Sequence, residues 1–476
     1  MSATSEPAAA ARSGEIRKTL GLRDVVFAQV VSIVGLGWVG TAAKLGPSHV
    51  VFWLLAVTLF YLPSGAAVIY LNRLHPLEGG LYTWARLGFN DFIGFMTAWS
   101  MWLNCVVLVS LSGLQLVTIL SYLFAPSGAG LAENKWALGA ASLAMAGLLV
   151  GVTTVGFSVA KWLTNAGGLM ILVVFGALIL LPFRNLFIGR LPQYHPLTLA
   201  MPTVSLLSLN ILGKISFGAL SGFDSVAVFA GECRDASRSI GRSVLIAAPI
   251  IAVIFILGTS AVRAFVPDNQ VDLVSPISQA LEAGTRPGDS SAGLIPLVLL
   301  GLLASVAGQQ TFVFAEGTRL PLVTGWDHLL PKWFTRLHPS FRTPSNSILF
   351  MGGVMLSLAI AASAGAGQQE AFQLLQNAAL TFYALAYLVM FALPLIGFRG
   401  LKLRPPFWLR AACVSGFAMT ALFVAFSVFP ITDVPNPLGF TIKVTVVIVG
   451  FTGTGAVIFW ASQRRISATD IPASAE

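Results

Sequence analysis

Lys214 and Asp224 stand inside one apolar run, Asn210 to Glu232, NILGKISFGALSGFDSVAVFAGE. An ionisable side chain at membrane depth is by default a functional residue. Lys214 has two readings. It is either a titrating cation that holds an acidic substrate side chain or replaces sodium, or a side chain that faces an outer vestibule and snorkels. Asp224 either takes part in proton coupling or caps the half-helix that follows it. Asn104, polar within another apolar run, either lines a pocket or makes an interhelical hydrogen bond. Lys161 and Glu232 sit at the ends of runs, where salt bridges to basic loops account for them.

The backbone offers a second kind of chemistry. The same run is interrupted by Gly218, Ser221, Gly222 and Asp224, and the run Asp24 to Leu45 is interrupted at Val34-Gly35-Leu36-Gly37. In lipid, backbone groups freed from a helix must be satisfied within protein or water, so such breaks line cavities. At the first break Gly35 and Gly37 let the chain leave helical geometry. The resuming half-helix then presents free N–H groups from Leu36 to Trp38, suited to a carboxylate. At the second break a half-helix ending near Gly218 leaves carbonyls on Phe217 to Leu220 for an ammonium group. A zwitterionic α-amino acid satisfies both sets. Close helix packing explains a single Gly-x-Gly equally well; two breaks at matched positions favour a binding site.

The elements that carry these breaks are membrane helices. With 56% hydrophobic and 10% charged residues, the composition excludes an ordinary soluble globule, in which charge runs near 25%. Apolar runs of spanning length lie over 24–45, 48–71, 92–123, 136–156, 162–182, 204–230, 243–266, 293–316, 347–364, 371–397, 407–429 and 438–460. Twelve spans with a cytoplasmic N-terminus put roughly twenty basic residues inside and about seven outside, which fits the positive-inside rule. Both termini are then cytoplasmic, in a multi-pass protein of the cytoplasmic membrane with no removable signal.

The fold class expected is all-α, with a 5+5 inverted repeat plus two C-terminal helices. The broken spans are the first and sixth, so the two halves are opposite in orientation. The organisation is a tail over 1–21, a first repeat over 22–182, an outer loop over 183–203 and a second repeat over 204–398. Two final spans over 399–462 and a tail over 463–476 complete it. LNRLHPLEGGLYTWARLGFNDFIGF, between spans two and three, suits a segment lying against the inner face, and 325–344 an interfacial amphipathic helix.

Several function classes drop out. His49, His75, His195, His328 and His338 are read in loops, which leaves no His-carboxylate cluster for a metal or for acid-base catalysis. The three cysteines are far apart, so neither a disulfide framework nor a zinc site is expected. No Gly-rich phosphate loop with lysine is present, so neither ATP nor another cofactor is called for. The net charge of +9 is spread over short loops and follows topology rather than nucleic acid. A membrane enzyme is disfavoured by the lack of clustered acid-base residues.

Four stretches together resemble the amino acid-polyamine-organocation superfamily: VSIVGLGWVG, LEGGLYTWARLGFNDFIGF, SGFDSVAVFAGECRDASRSIGRSV and TRLPLVTGWDHLLPKWFTRLHPSFRTP. The resemblance covers about Leu22 to Pro344. It implies a leucine-transporter-like fold, carboxylate contacts at Leu36 and Gly37, and amine contacts at the carbonyls of Ile33, Gly218 and Ser221. The chain departs from it in three places. Leu36 stands where many members have a small polar residue. Gly218 stands where several have an aromatic that closes over the substrate, which leaves Phe217 as its substitute. NAGGLMILVVFGA has no lysine where some sodium-independent members carry one, so no coupling residue is assigned. The function implied is secondary transport of an amino acid by proton symport or exchange, with lipid and the substrate as partners. A polyamine transporter and a non-cycling amino-acid sensor are the alternatives.

Overall fold

The computed structural model describes residues 20–74, 80–128, 130–226, 233, 236–285, 292–323, 333–334, 336–363, 367–396, 405–431 and 434–469. These are helices and turns, apart from one isolated parallel bridge between Leu20 and Cys233. The chain runs through α1 (Leu22–Ile33), α2 (Trp38–Ala43), α3 (Gly46–Leu74), α4 (Leu81–Gly88) and α5 (Asp91–Leu123). It continues as α6 (Lys135–Val155), α7 (Phe157–Phe187), α8 (Leu206–Gly218), α9 (Ala236–Arg263) and α10 (Pro276–Ala283). The last five are α11 (Ile295–Val323), α12 (Ser345–Ser363), α13 (Gln368–Ile396), α14 (Phe407–Ser427) and α15 (Pro437–Thr469).

Among the described residues nine helices are long and apolar enough to cross a membrane: α3, α5, α6, α7, α9, α11, α13, α14 and α15. The other three expected runs appear as the interrupted pair α1/α2 and as the shorter apolar helices α8 and α12. Their starts follow ordinary capping chemistry. The Asn90 side chain accepts from the Ile93 N–H at 2.9 Å, and Asn134 accepts from Trp136 and Ala137. Gly156, at φ +125°, turns the chain directly from α6 into α7.

Small residues let the inner helices approach closely. A Cβ on Gly167 of α7 would lie 2.8 Å from the Gly308 Cα of α11, and one on Gly168 would lie 3.1 Å from Phe27 and Val31 of α1. Such contacts set α1 into the groove between α7 and α11, with Val25, Val30 and Val31 buried. Leu143, Leu169, Leu180, Val446 and Val457 are exposed on outer helices, as a lipid-facing surface requires.

Two sequence expectations change here. His49 is not in a loop; it is buried in the first turn of α3, with Nε2 2.9 Å from the Ser260 hydroxyl and Nδ1 3.0 Å from the Gly46 carbonyl. Of the expected amphipathic helix over 325–344, residues 325–332 and 335 lie outside the described residues, and 333–334 and 336–344 are turns and irregular backbone. By contrast, α4 packs its Leu81, Trp84 and Ala85 against the bundle and pairs Arg86 with Asp91 at 3.0 Å. His75, His328 and Glu232 lie outside the described residues.

Candidate substrate site

The first helix ends because Val34 makes the last helical bond, its N–H donating to Val30 at 2.9 Å, and Gly35 turns back to donate to the Ile33 carbonyl at 2.8 Å. The chain resumes when Trp38 donates to Gly35 at 3.3 Å and Thr41 to Gly37 at 3.1 Å. Among the described residues this leaves the N–H groups of Leu36 and Gly37 without an acceptor. Trp38, expected to share that role, is committed to the turn. The resumed helix α2 has six residues, so direct N–H donation matters more than any macrodipole.

At the second break the half-helix does not stop near Gly218. A π-turn over Lys214–Gly218 absorbs one residue, and helical geometry continues to Leu220. The Phe217 carbonyl is therefore taken by the Ser221 N–H at 3.0 Å. The chain then breaks at Ser221 and Gly222, with Gly222 at φ +126° and its N–H donating to the Tyr387 hydroxyl at 2.9 Å.

The two breaks touch. A Cβ on Gly222 would lie 3.0 Å from Ile33 Cγ1. The Trp38 indole covers Gly218, its Cζ2 2.8 Å from where a Cβ would be, and also lies 2.6 Å from the equivalent point on Gly35. The Gln29 amide donates to the Phe223 carbonyl at 3.2 Å. Gly35 and Gly218 thus meet at one indole and Ile33 meets Gly222, with Leu36 and Gly37 on the turn that carries Trp38.

Other expected residues lie elsewhere. Phe217 is fully buried in an aromatic cluster with Phe60, Tyr387 and Phe423, at centroid distances of 5.5, 5.2 and 5.0 Å. The aromatic that covers Gly218 is Trp38 instead. Lys214 is buried, its Nζ donating to the Phe429 carbonyl at 3.2 Å beside Asn210 Nδ2, also at 3.2 Å. It tethers α8 to the chain just beyond α14. Asn104 is buried on α5.

Asp224 has partners that the sequence did not indicate. Its Oδ1 accepts from the hydroxyls of Tyr383 at 2.5 Å and Tyr387 at 2.6 Å, both on α13. The Tyr383 hydroxyl also lies 3.2 Å from that of Ser225. Glu316, on α11, is a second buried carboxylate. On the other side of α1, Gln309 Nε2 donates to the carbonyls of Val31 at 2.9 Å and Val34 at 3.2 Å. It thereby satisfies acceptors that the first break sets free.

Each end of the bundle adds a closure. Toward the 264–285 connection, the Leu273 carbonyl sits 2.7 Å from a Cβ position on Gly37, and Pro276 packs on Gly40. Asp272 holds this connection in place. Its carboxylate accepts from Tyr122 at 3.1 Å, from Gln369 at 2.6 Å and from the Val274 N–H at 2.8 Å. A cavity of about 640 Å³ opens beyond it, lined by Lys44, Leu207, Gln270, Asp272, Gln369 and Ile431. This volume lies at the Asp272 connection rather than between the breaks, where the expectation put it, because Trp38 fills the space there. At the opposite end Asp24 binds Asn165 at 2.8 Å and Lys161 at 3.7 Å.

A model of the amino acid permease family matches residues 20–458, which takes in both breaks and all the closures just described. The chain belongs to the amino acid permease family. This permease is a multi-pass membrane transporter. It is similar to an uncharacterized transporter of Mycobacterium tuberculosis, at 26% identity over 86% of this chain and 88% of the relative. It is also similar to a probable agmatine/putrescine antiporter of Lactococcus lactis, at 21% identity over 77% of this chain and 78% of the relative. A low-affinity putrescine importer of Escherichia coli is 26% identical over 72% of this chain and 74% of that protein.

Proposed function

We propose that this permease is a secondary transporter that carries an amino acid across the cytoplasmic membrane by alternating access about its two breaks. The carrying observation is their contact: unpaired N–H groups at Leu36 and Gly37 stand on the same turn as Trp38, whose ring rests on Gly218 of the other break. A substrate carboxylate takes the N–H groups. Its amine takes carbonyls at Ile33, Gly218 or Ser221. The cargo enters as Trp38 leaves the space over Gly218, so loading and the closure of the first break are one movement.

In this reading the nine long helices, the α1/α2 pair, α8 and α12 are twelve spans in a 5+5 inverted repeat plus two. Both termini are cytoplasmic, which makes the 640 Å³ cavity an outer vestibule and Asp24–Lys161 part of the inner closure. Rocking of one helix bundle releases the Asp272 contacts and the Asp24 contacts in turn. Coupling is by protons or by exchange.

A polyamine substrate is the second reading. Asp224, whose buried Oδ2 has no partner among the described residues, favours it, together with the putrescine named for two relatives. Purified protein in liposomes, offered labelled amino acids and putrescine, separates the two. Binding without any flux would instead make the protein a sensor.

A further inference from the structure

α13 (Gln368–Ile396) turns one face to both breaks. Phe372 Cζ lies 3.7 Å from where a Cβ on Gly37 would be, and Leu380 Cδ1 lies 3.2 Å from the equivalent point on Gly218. Further along, the Tyr387 hydroxyl accepts from the Gly222 N–H, and the Tyr383 and Tyr387 hydroxyls donate to Asp224. At about 100° per residue, these four side chains fall within about 80° of the helix circumference. Gln376 stands at the middle of that stripe, one turn from Phe372 and one turn from Leu380. It differs from the other four in two ways. Phe372, Leu380, Tyr383 and Tyr387 are buried, whereas Gln376 is only half-buried although it lies in the row that faces the breaks. Its amide also has no hydrogen-bond partner among the described residues, while both tyrosine hydroxyls and the Gln369 amide are bonded to neighbours. An amide inside a membrane helix requires partners for its donors and its acceptor. Here they come from whatever occupies the space beside it.

We propose that Gln376 contacts the side chain of the cargo and sets a preference for amino acids whose side chain is polar and uncharged. This rests on the amino acid transporter reading above and narrows its substrate class. With the cargo carboxylate on the N–H groups of Leu36 and Gly37 and its amine on carbonyls at the breaks, the side chain faces the remaining wall. That wall is the α13 stripe, which runs from Gly37 to Gly218 and beyond. A carboxamide both donates and accepts, so Gln376 pairs with another carboxamide or with a hydroxyl. The rest of the stripe is aromatic or aliphatic, and its tyrosine hydroxyls are already directed at Asp224. A charged cargo side chain would meet no opposite charge on this face and would lose its hydration without return.

Asparagine and leucine are close in shape and differ in polarity, so the ratio of their affinities reads this contact. It is measured on purified protein by thermal stabilisation and by uptake into liposomes. Wild type is expected to favour asparagine. Gln376→Leu removes both donor and acceptor and should lower the asparagine-to-leucine ratio by about tenfold. Gln376→Asn draws the amide back by one methylene and should move the preference from asparagine toward glutamine, a shift that a purely structural role would not produce. An unchanged ratio in Gln376→Leu overturns the proposal, as does a wild type that favours leucine. Equal losses for asparagine, leucine and alanine also overturn it, since they would put the amide on groups common to every amino acid. Asparagine bound through Gln376 without flux keeps this contact and ends the transporter reading. Flux with a ratio indifferent to both substitutions does the reverse.

Discussion

Trp38 lies against the bare Cα of Gly218, so close that a methyl group at that position would overlap the indole ring. The contact joins the resumed half of the first break to the helix leading into the second. Gly218→Ala is therefore expected to push Trp38 from its seat. Overpacking of this kind costs about 1–3 kcal/mol, enough to bias the cycle toward states in which the ring has already left. Uptake per folded molecule should fall about tenfold or more, and the emission of Trp38 should change in a variant that retains it as the sole tryptophan. Normal uptake and an unchanged spectrum would show that the seat is incidental.

Gly222 and Gly37 are constrained by different neighbours. Gly222 has φ +126° and faces Ile33, whereas Gly37 faces the Leu273 carbonyl at 2.7 Å. In Gly222→Val the side chain meets both a strained backbone, at about 1–3 kcal/mol, and its neighbour. A lower melting temperature and no uptake are expected. Gly37→Val keeps an allowed backbone but collides with a main-chain carbonyl of the 264–285 connection. It is spared the backbone strain, so it should lose less stability than Gly222→Val and fail to close. Equal stability losses in both variants would refute the distinction.

How much of this was legible in the sequence depends on what each residue contacts. The first break was, because Gly35 and Gly37 act within their own turn. The second was placed too early: Gly218 reads as a breaker, but its missing side chain makes room for Trp38, while a π-turn carries the helix on to Leu220. Phe217 reads as a lid because it neighbours Gly218, yet it is fully buried among four other aromatics, Phe60, Tyr383, Tyr387 and Phe423. Glu316 was hidden because it falls at the expected end of its span, where a charge is ordinary. Tyr383, Tyr387 and Gln309 sit in apolar helices far along the chain, and only tertiary packing brings them to the breaks. Glutamine and tyrosine inside a span each bring a polar group that needs a partner.

Gln309 occupies a place where a cation would otherwise be useful. Carbonyls at the end of a half-helix commonly coordinate sodium in transporters, but here Val31 and Val34 already accept from the Gln309 amide. Uptake is therefore expected to be the same in sodium chloride and in choline chloride. Gln309→Ala leaves two acceptors unpaired at about 1–3 kcal/mol each, so its melting temperature should fall, and added sodium should recover part of the loss. Sodium-stimulated uptake in the wild type would contradict this account.

The buried Lys214 tests whether a charge at membrane depth must serve transport. Its Nζ and Asn210 Nδ2 share the Phe429 carbonyl, and Lys214 is not among the residues lining the 640 Å³ cavity. A tether of this kind predicts that Lys214→Met lowers stability modestly, by about 1 kcal/mol, because the carbonyl keeps one donor and the methionine fills the volume. The double variant with Asn210→Leu strips the carbonyl of both donors, and its loss should exceed the sum of the single losses. Substrate preference and the dependence of uptake on pH should be unchanged in Lys214→Met. A weakened preference for acidic over neutral amino acids, or a flattened pH profile, would return Lys214 to the transport path and remove the tether as its sufficient explanation.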